Sequence, residues 1–260
     1  MNILFIGDII GRPGRRAVRE NIDKLRREED FDLVIVNAEN VAGGFGLTAE
    51  VIDELLGYGV DVITTGNHVW DKKEIIGYIE SNDRVLRPLN YPPGNPGRGY
   101  GFFTGRSGSS YLVANLSGRV FMGTFDCPFR AVDAMLETNK QRSKFTIIDF
   151  HAEATSEKEA MGYYLDGRVS GVIGTHTHVQ TADECILPGG TGYITDVGMC
   201  GPINSIIGMK KEHILERFLS QMPVKFEVAT GPVLFSGVML ALDVETGMCR
   251  SIRRIYEKSV

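Results

Sequence analysis

Gly174-Thr175-His176-Thr177-His178 places two imidazoles one residue apart, directly after an apolar run. Neutral imidazole is among the commonest transition-metal ligands, and a His-x-His pair at a strand end aims both rings at one loop region. The chain has five histidines, and of the other three, His68 and His151 also close apolar segments. Carboxylates and amides recur in the same kind of place: Asp8 after residues 2–6, Glu39 with Asn40 after 33–36, and Asn67 beside His68 after 60–64. The set offers oxygen and nitrogen donors only. So many donors exceed the need of one ion, and a carboxylate such as Glu39 can bridge two cations ~3.5–4 Å apart, as in two-metal hydrolases. A dinuclear centre is the inference. Taken singly, each residue has a plainer use: Asp8 or Asn40 could cap a helix or turn, Glu39 could accept a local hydrogen bond, and His151 could be a satisfied core residue.

Strands must deliver these groups. Residues 2–6 read as a fully buried strand that hands over Asp8. Pro13 suits a first helical turn, and Val18, Ile22 and Leu25 recur at spacings of four and three, so a helix follows. Arg15, Arg16, Arg19, Arg26 and Arg27 read as its solvated face. After a second strand at 33–36, Gly43-Gly44-Phe45-Gly46 makes a flexible loop. Thr48 then caps a helix faced by Val51, Ile52, Leu55 and Leu56. A third strand at 60–64 leads into Gly66-Asn67-His68, and Asp71 with Glu74 resembles a capping pair for a helix carrying Ile75, Ile76 and Ile79. Residues 87–108, rich in Pro and Gly, read as one long loop. Short strands are expected at 111–114 and 120–123 around a turn at Ser117-Gly118, then a helix through Met135. A strand at 145–150 ends at His151, a helix covers 157–165, and a strand at 169–173 runs into the His-Thr-His. A strand at 193–196, a helix at 212–219 and a hairpin of alternating Val238, Leu240 and Leu242 with residues 251–256 complete the pattern. In open α/β sheets functional groups gather outside the carboxyl ends of strands, so scattered donors can converge on one crevice.

The 260 residues are read as a single domain, 1–260, with 43% hydrophobic and 23% charged residues as in a globular protein that buries a sizeable core. A net charge of −5 gives no basic footprint for duplex nucleic acid. Cys127, Cys185, Cys200 and Cys249 form no metal or disulfide spacing and read as reduced, packed cysteines, with Cys200 a lesser candidate for a redox role near the site. No signal peptide or membrane span is evident, so a cytoplasmic location is expected. Phe45, Tyr100 and Tyr193, in glycine-rich loops, could stack on a base, although loop anchoring is their plainer use.

Gly7-Asp8, Asn37-Ala38-Glu39-Asn40, Gly66-Asn67-His68, His151-Ala152-Glu153 and Gly174-Thr175-His176-Thr177-His178 resemble, in order and spacing, the motifs of the calcineurin-like metallophosphoesterases. Gly11-Arg12-Pro13-Gly14 and Thr195-Asp196-Val197-Gly198-Met199 make the resemblance closest to the bacterial YmdB-like branch, over nearly the whole chain. The resemblance implies an α/β fold, a four-layer sandwich of two mixed β-sheets flanked by helices, with two iron or manganese ions at one edge. It implies Asp8, Glu39, Asn40 and His178 as ligands of one ion, and bridging Glu39 with Asn67, His151 and His176 as ligands of the other. His68 is then the general acid, and a hydroxide between the ions the in-line nucleophile. The chain departs from the wider superfamily at Ile10, where a ligand histidine is usual, and at Glu39, where the bridge is usually Asp. The implied activity is phosphodiester hydrolysis of small molecules, with 2′,3′-cyclic nucleotides the first candidate substrates and 3′,5′-cyclic nucleotides the second; a homo-oligomer is compatible with the sequence. Two alternatives stand beside it: a phosphomonoesterase or protein phosphatase on the same scaffold, and a regulatory protein that senses nucleotides without cleaving them.

Overall fold

The computed structural model describes residues 1–140 and 142–259. The chain opens with β1 (Asn2–Ile6), the short β2 (Asp8–Ile9) and α1 (Gly11–Glu28). Two further βα units follow, β3 (Leu33–Asn37) with α2 (Ala49–Gly57) and β4 (Val62–Thr64) with α3 (Ile75–Ser81). After β5 (Val85–Leu86), a second series runs through β6 (Tyr100–Thr104), β7 (Ser110–Ser117), α4 (Pro128–Thr138), β8 (Phe145–His151), α5 (Thr155–Leu165) and β9 (Gly171–Thr175). Then come β10 (Cys185–Ile186), β11 (Gly192–Ile194), β12 (Met199–Pro202), α6 (Lys211–Ser220) and the hairpin of β13 (Val233–Leu242) with β14 (Cys249–Ser259).

Two mixed sheets result. One has the order β2-β12-β13-β1-β3-β4-β5, with β14 on β13; the other is β10-β11-β9-β8-β7-β6. Strands β1, β3, β4 and β5 run parallel, as do β7, β8, β9 and β11. Period-2 alternation then decides the layers. Ile3, Phe5, Leu33 and Ile35 face the second sheet and pack on Tyr111, Val113, Ile147 and Ile173. Leu4, Ile6, Val34 and Val36 face outward onto Val18, Ile22 and Leu25 of α1 and Ile52 and Leu55 of α2. On the far side, Leu112, Ile148, Phe150 and Val172 meet Val132 and Met135 of α4 and Met161 and Leu165 of α5. Both faces of each sheet are covered, which is why the strands read as unbroken apolar runs. The expected sandwich of two mixed sheets flanked by helices is the observed architecture.

Several local expectations give way. Residues 120–123 form no strand: the Arg119 and Val120 amides donate to the Glu157 carboxylate at 3.0–3.1 Å, so no ladder partner engages them. Ser117 is the last residue of β7 rather than a turn residue. The expected long loop contains β6, which is held antiparallel to β7. Thr48 does cap α2, but Asp71 and Glu74 do not cap α3; Asp71 is engaged by His68. The arginine face of α1 is only partly solvated, since Arg15 donates to the Val41 carbonyl at 2.9 Å and pairs with Glu54, and Arg26 donates to the Gly59 carbonyl.

Candidate metal centre

Seven of the eight polar residues expected at strand ends come together where the two sheets meet, and Asn40 follows Glu39 on the same turn. The first sheet supplies Asp8 where β1 passes into β2, Glu39 and Asn40 on the turn after β3, and Asn67 and His68 on the turn after β4. The second supplies His151, the last residue of β8, and His176 and His178 beyond β9. Asp8, Glu39, Asn40 and His151 are almost fully buried. Donor atoms of Glu39, His151 and His176 lie within 4.8 Å of one another, as do those of Asp8, Glu39 and His178, so Glu39 belongs to both groups.

His151 Nε2 sits 3.1 Å from Glu39 Oε1, 3.2 Å from Asn67 Oδ1 and 3.0 Å from His176 Nδ1. The carboxylate and amide oxygens can only accept, so lone pairs crowd a space that a single imidazole proton cannot satisfy. Among the described residues Asp8 Oδ1 and Asn40 Oδ1, both buried, find no hydrogen-bond partner, while Asn40 Nδ2 donates to the Gly44 carbonyl at 3.0 Å. Orphaned buried acceptors are costly, and cations satisfy them. Gly66 keeps the space open, because a Cβ there would stand 2.3 Å from Glu39 Oε2 and His151 Nε2. The residues fit an oxygen- and nitrogen-liganded metal centre.

Protonation follows the same logic. Burial would depress the His151 imidazolium, but the Glu39 carboxylate, with Asp8 and Asp149, outweighs it and raises its pKa to about 9. Burial would raise Glu39, yet the charge and hydrogen bond of His151 pull it down to about 2. Burial and the neighbouring His151 cation push His176 down to about 3, and burial lowers His178. Burial also lifts Asp8 well above the usual carboxylate range, against the pull of His151. The carboxylates around His151 favour its protonated form in metal-free protein, and a cation at Nε2 would have to displace that proton. Loading is expected to release about one proton from that group at pH 7, with affinity climbing as pH rises toward its pKa and levelling above it. Calorimetry in buffers of different ionisation enthalpy measures this; release of none would refute it.

Three neighbours that the sequence did not mark as functional orient the imidazoles. The Thr175 hydroxyl donates to Asp149 Oδ1 at 2.7 Å and so accepts from His151 Nδ1 at 2.8 Å, leaving Nε2 as the nitrogen that faces the cluster and would bind a cation once its proton is displaced. Glu153 Oε2, 3.0 Å from His176 Nε2, leaves Nδ1 as that ring's free donor atom. His178 Nδ1 donates to the Ile207 carbonyl at 3.0 Å, which turns Nε2 toward Asp8. Such outer partners fix tautomers and ring orientation. Thr175→Val is expected to weaken metal affinity about 10- to 100-fold with the fold intact; a metal titration with circular dichroism as control checks it. His176 and His178 have φ of 104° and 66°, left-handed values costing non-glycine residues about 1–3 kcal/mol each.

His68 stands apart from both donor groups. Its amide donates to Glu39 Oε2 at 3.2 Å, its Nδ1 lies 2.8 Å from Asp71 Oδ2, and its ring meets the edge of Phe45 at 5.1 Å. Asp71 thus holds one side of a partly exposed imidazole, and Nε2 is left to act on a ligand.

A family model described as YmdB-like protein matches residues 4–255. The chain belongs to the YmdB-like family. It is 48% identical over 255 residues to the 2′,3′-cyclic-nucleotide 2′-phosphodiesterase of Bacillus subtilis (strain 168), covering 98% of this chain and 96% of that protein. A crystal structure of a hypothetical protein from Thermus thermophilus matches with a TM-score of 0.94 at 44% identity, over 100% of both chains. A crystal structure described as a novel phosphatase of Mycoplasma pneumoniae gives 0.93 at 35% identity, over 99% of this chain and 93% of that one.

Of the aromatic residues considered for this YmdB-like site, Phe45 alone touches one of its residues among the described contacts. Tyr193 is core, stacked beneath Gly162 of α5, and Tyr100 packs on the outer cluster beside α4, because both sit on strands facing helices. Cys200 is fully buried with its thiol between the Ser236 amide and carbonyl at 3.4 Å, and burial pushes its pKa up to about 12, so it packs rather than reacts. The four cysteines are free. No helix among the described residues is long and apolar enough to cross a membrane.

Proposed function

We propose that this chain is a single-domain cytoplasmic phosphodiesterase that opens 2′,3′-cyclic nucleotides at the 2′ oxygen, using two iron or manganese ions. Asp8, Glu39, Asn40 and His178 would hold one ion, and Glu39, Asn67, His151 and His176 the other. The observation that carries the reading is the pair of donor groups sharing Glu39, with His68 beside them but outside both. The name and extent of the Bacillus subtilis relative support the substrate class. Bound there, the cations would neutralise phosphoryl oxygens and make water a nucleophile at neutral pH.

The remaining work falls to the protein. Water adds to phosphorus and gives up one proton to solvent, the bond from phosphorus to the 2′ oxygen breaks, and His68 Nε2 delivers its proton to that departing oxygen and is reprotonated from solvent, leaving a 3′-phosphate and a free 2′-hydroxyl. Asp71, accepting from Nδ1, orients the ring so that Nε2 is the nitrogen offered to the departing oxygen. Phe45 limits the ring's rotation. No arginine clamp is required, so an acidic protein can bind an anionic substrate.

The phosphatase named in the Mycoplasma pneumoniae structure favours a monoesterase as the rival reading. Purified protein reconstituted with Mn²⁺ or Fe²⁺ is expected to cleave 2′,3′-cyclic nucleotides, and the bis ester of p-nitrophenyl phosphate, far faster than p-nitrophenyl phosphate itself. The reverse order would remove the diesterase assignment. Binding of cyclic nucleotide without turnover would favour a sensor.

A further inference from the structure

Behind the His-Thr-His turn lies an ion pair that the proposed reaction does not use. Lys158 of α5 donates to Asp196 Oδ2 at 2.7 Å, and both side chains are essentially inaccessible, at 1% and 0% exposure. The same Oδ2 accepts the Thr177 amide at 3.0 Å, and Oδ1 accepts the Gly198 amide at 2.8 Å. Thr177 separates His176 from His178, both in left-handed conformation, and the His176 amide is held by Asp8 Oδ2 at 3.2 Å. Asp196 is itself fixed from the other side, where the Thr181 hydroxyl accepts its amide at 2.9 Å and the Thr181 amide donates to its carbonyl at 3.0 Å. Gly198 in turn passes its carbonyl to the Asp8 amide at 3.0 Å.

A buried ion pair is a poor source of stability, because desolvation offsets most of its attraction, and retaining one calls for another use. We propose that Lys158 and Asp196 are positioning residues that hold the His176-Thr177-His178 turn in the strained form that sends one imidazole to each donor group. The carboxylate is needed because it alone accepts the Thr177 and Gly198 amides together with the ammonium; an amide would turn an N–H toward one of them. The lysine is needed to orient that carboxylate and offset its charge beside Asp8. The inference rests on the metal reading above, and concerns metal geometry rather than chemistry on substrate.

The test is a Co²⁺ titration of metal-free protein, followed by visible absorption, comparing wild type with Lys158→Met/Asp196→Asn. The double variant replaces the pair with neutral groups of similar size and leaves every proposed ligand in place. It is expected to melt near the wild-type temperature without metal, to bind Co²⁺ at least about tenfold more weakly, and to show an altered ligand-field spectrum. Wild-type affinity and spectrum in a folded variant would overturn the proposal. Wild type that takes up no Co²⁺ would instead overturn the metal reading. Should the double variant not fold, hydrogen exchange of metal-free wild type decides: the Thr177 amide is expected to be protected like the core of β9, and exchange at the rate of an open loop would overturn the clamp.

Discussion

Glu39→Gln is expected to remove most of the bound metal and to lower phosphodiesterase activity about 10³-fold, the effect of losing several kcal/mol of charge stabilisation. Glu39 is the residue common to both donor groups. Its Oε1 faces His151, and its Oε2 accepts the His68 amide. A carboxylate can bridge because each oxygen carries charge and spare lone pairs, whereas an amide offers one neutral oxygen and an N–H that would point at His151 or the His68 amide. Elemental analysis of protein purified in parallel with wild type reads the first effect, and cyclic-nucleotide turnover the second. Wild-type metal content in this variant would remove the bridging assignment, whatever happened to activity.

His68→Ala is expected to keep wild-type metal content while kcat falls about 10²- to 10⁴-fold, the usual worth of a general acid. The separation follows from geometry. His68 makes its ring contacts to Asp71 and Phe45, and its link to Glu39 is through the backbone amide, which alanine retains. Substrates with a good leaving group, such as bis-p-nitrophenyl phosphate, should be hurt far less than cyclic nucleotides, because nitrophenolate departs without a proton. Loss of metal together with activity would falsify the assigned role, as would an equal loss on both substrates.

The donor residues were legible because each lies at the end of an apolar run, and both features are local. Asp8, Glu39, Asn67, His68, His151, His176 and His178 all reach one junction, with Asn40 next to Glu39 on its turn. The outer partners were hidden for the opposite reason. Asp149 lies inside the strand expected at 145–150, where nothing singled it out, yet it accepts from Thr64 of the first sheet and Thr175 of its own, tying the sheets together beside His151. Lys158 lies in the helix expected at 157–165, where nothing singled it out, yet the helix turns it inward to Asp196. Asp71 reads as a cap, because the spacing to Glu74 suits one, but the backbone carries it to His68. Residues 120–123 read as a strand on composition, and a single carboxylate from α5 removed that option.

The sequence by itself determined the alternation of strand and helix, the four-layer class through its motifs, and the chemical kind of the centre, because these depend on short-range periodicity and on residue types at strand ends. Only the tertiary structure decided which nitrogen of each histidine faces the cluster and that the His-Thr-His turn is held in a left-handed form. Those depend on stacking two sheets whose contributions are far apart in sequence, so that Asp8 meets His178, and Asn67 meets His151, only once both sheets have packed.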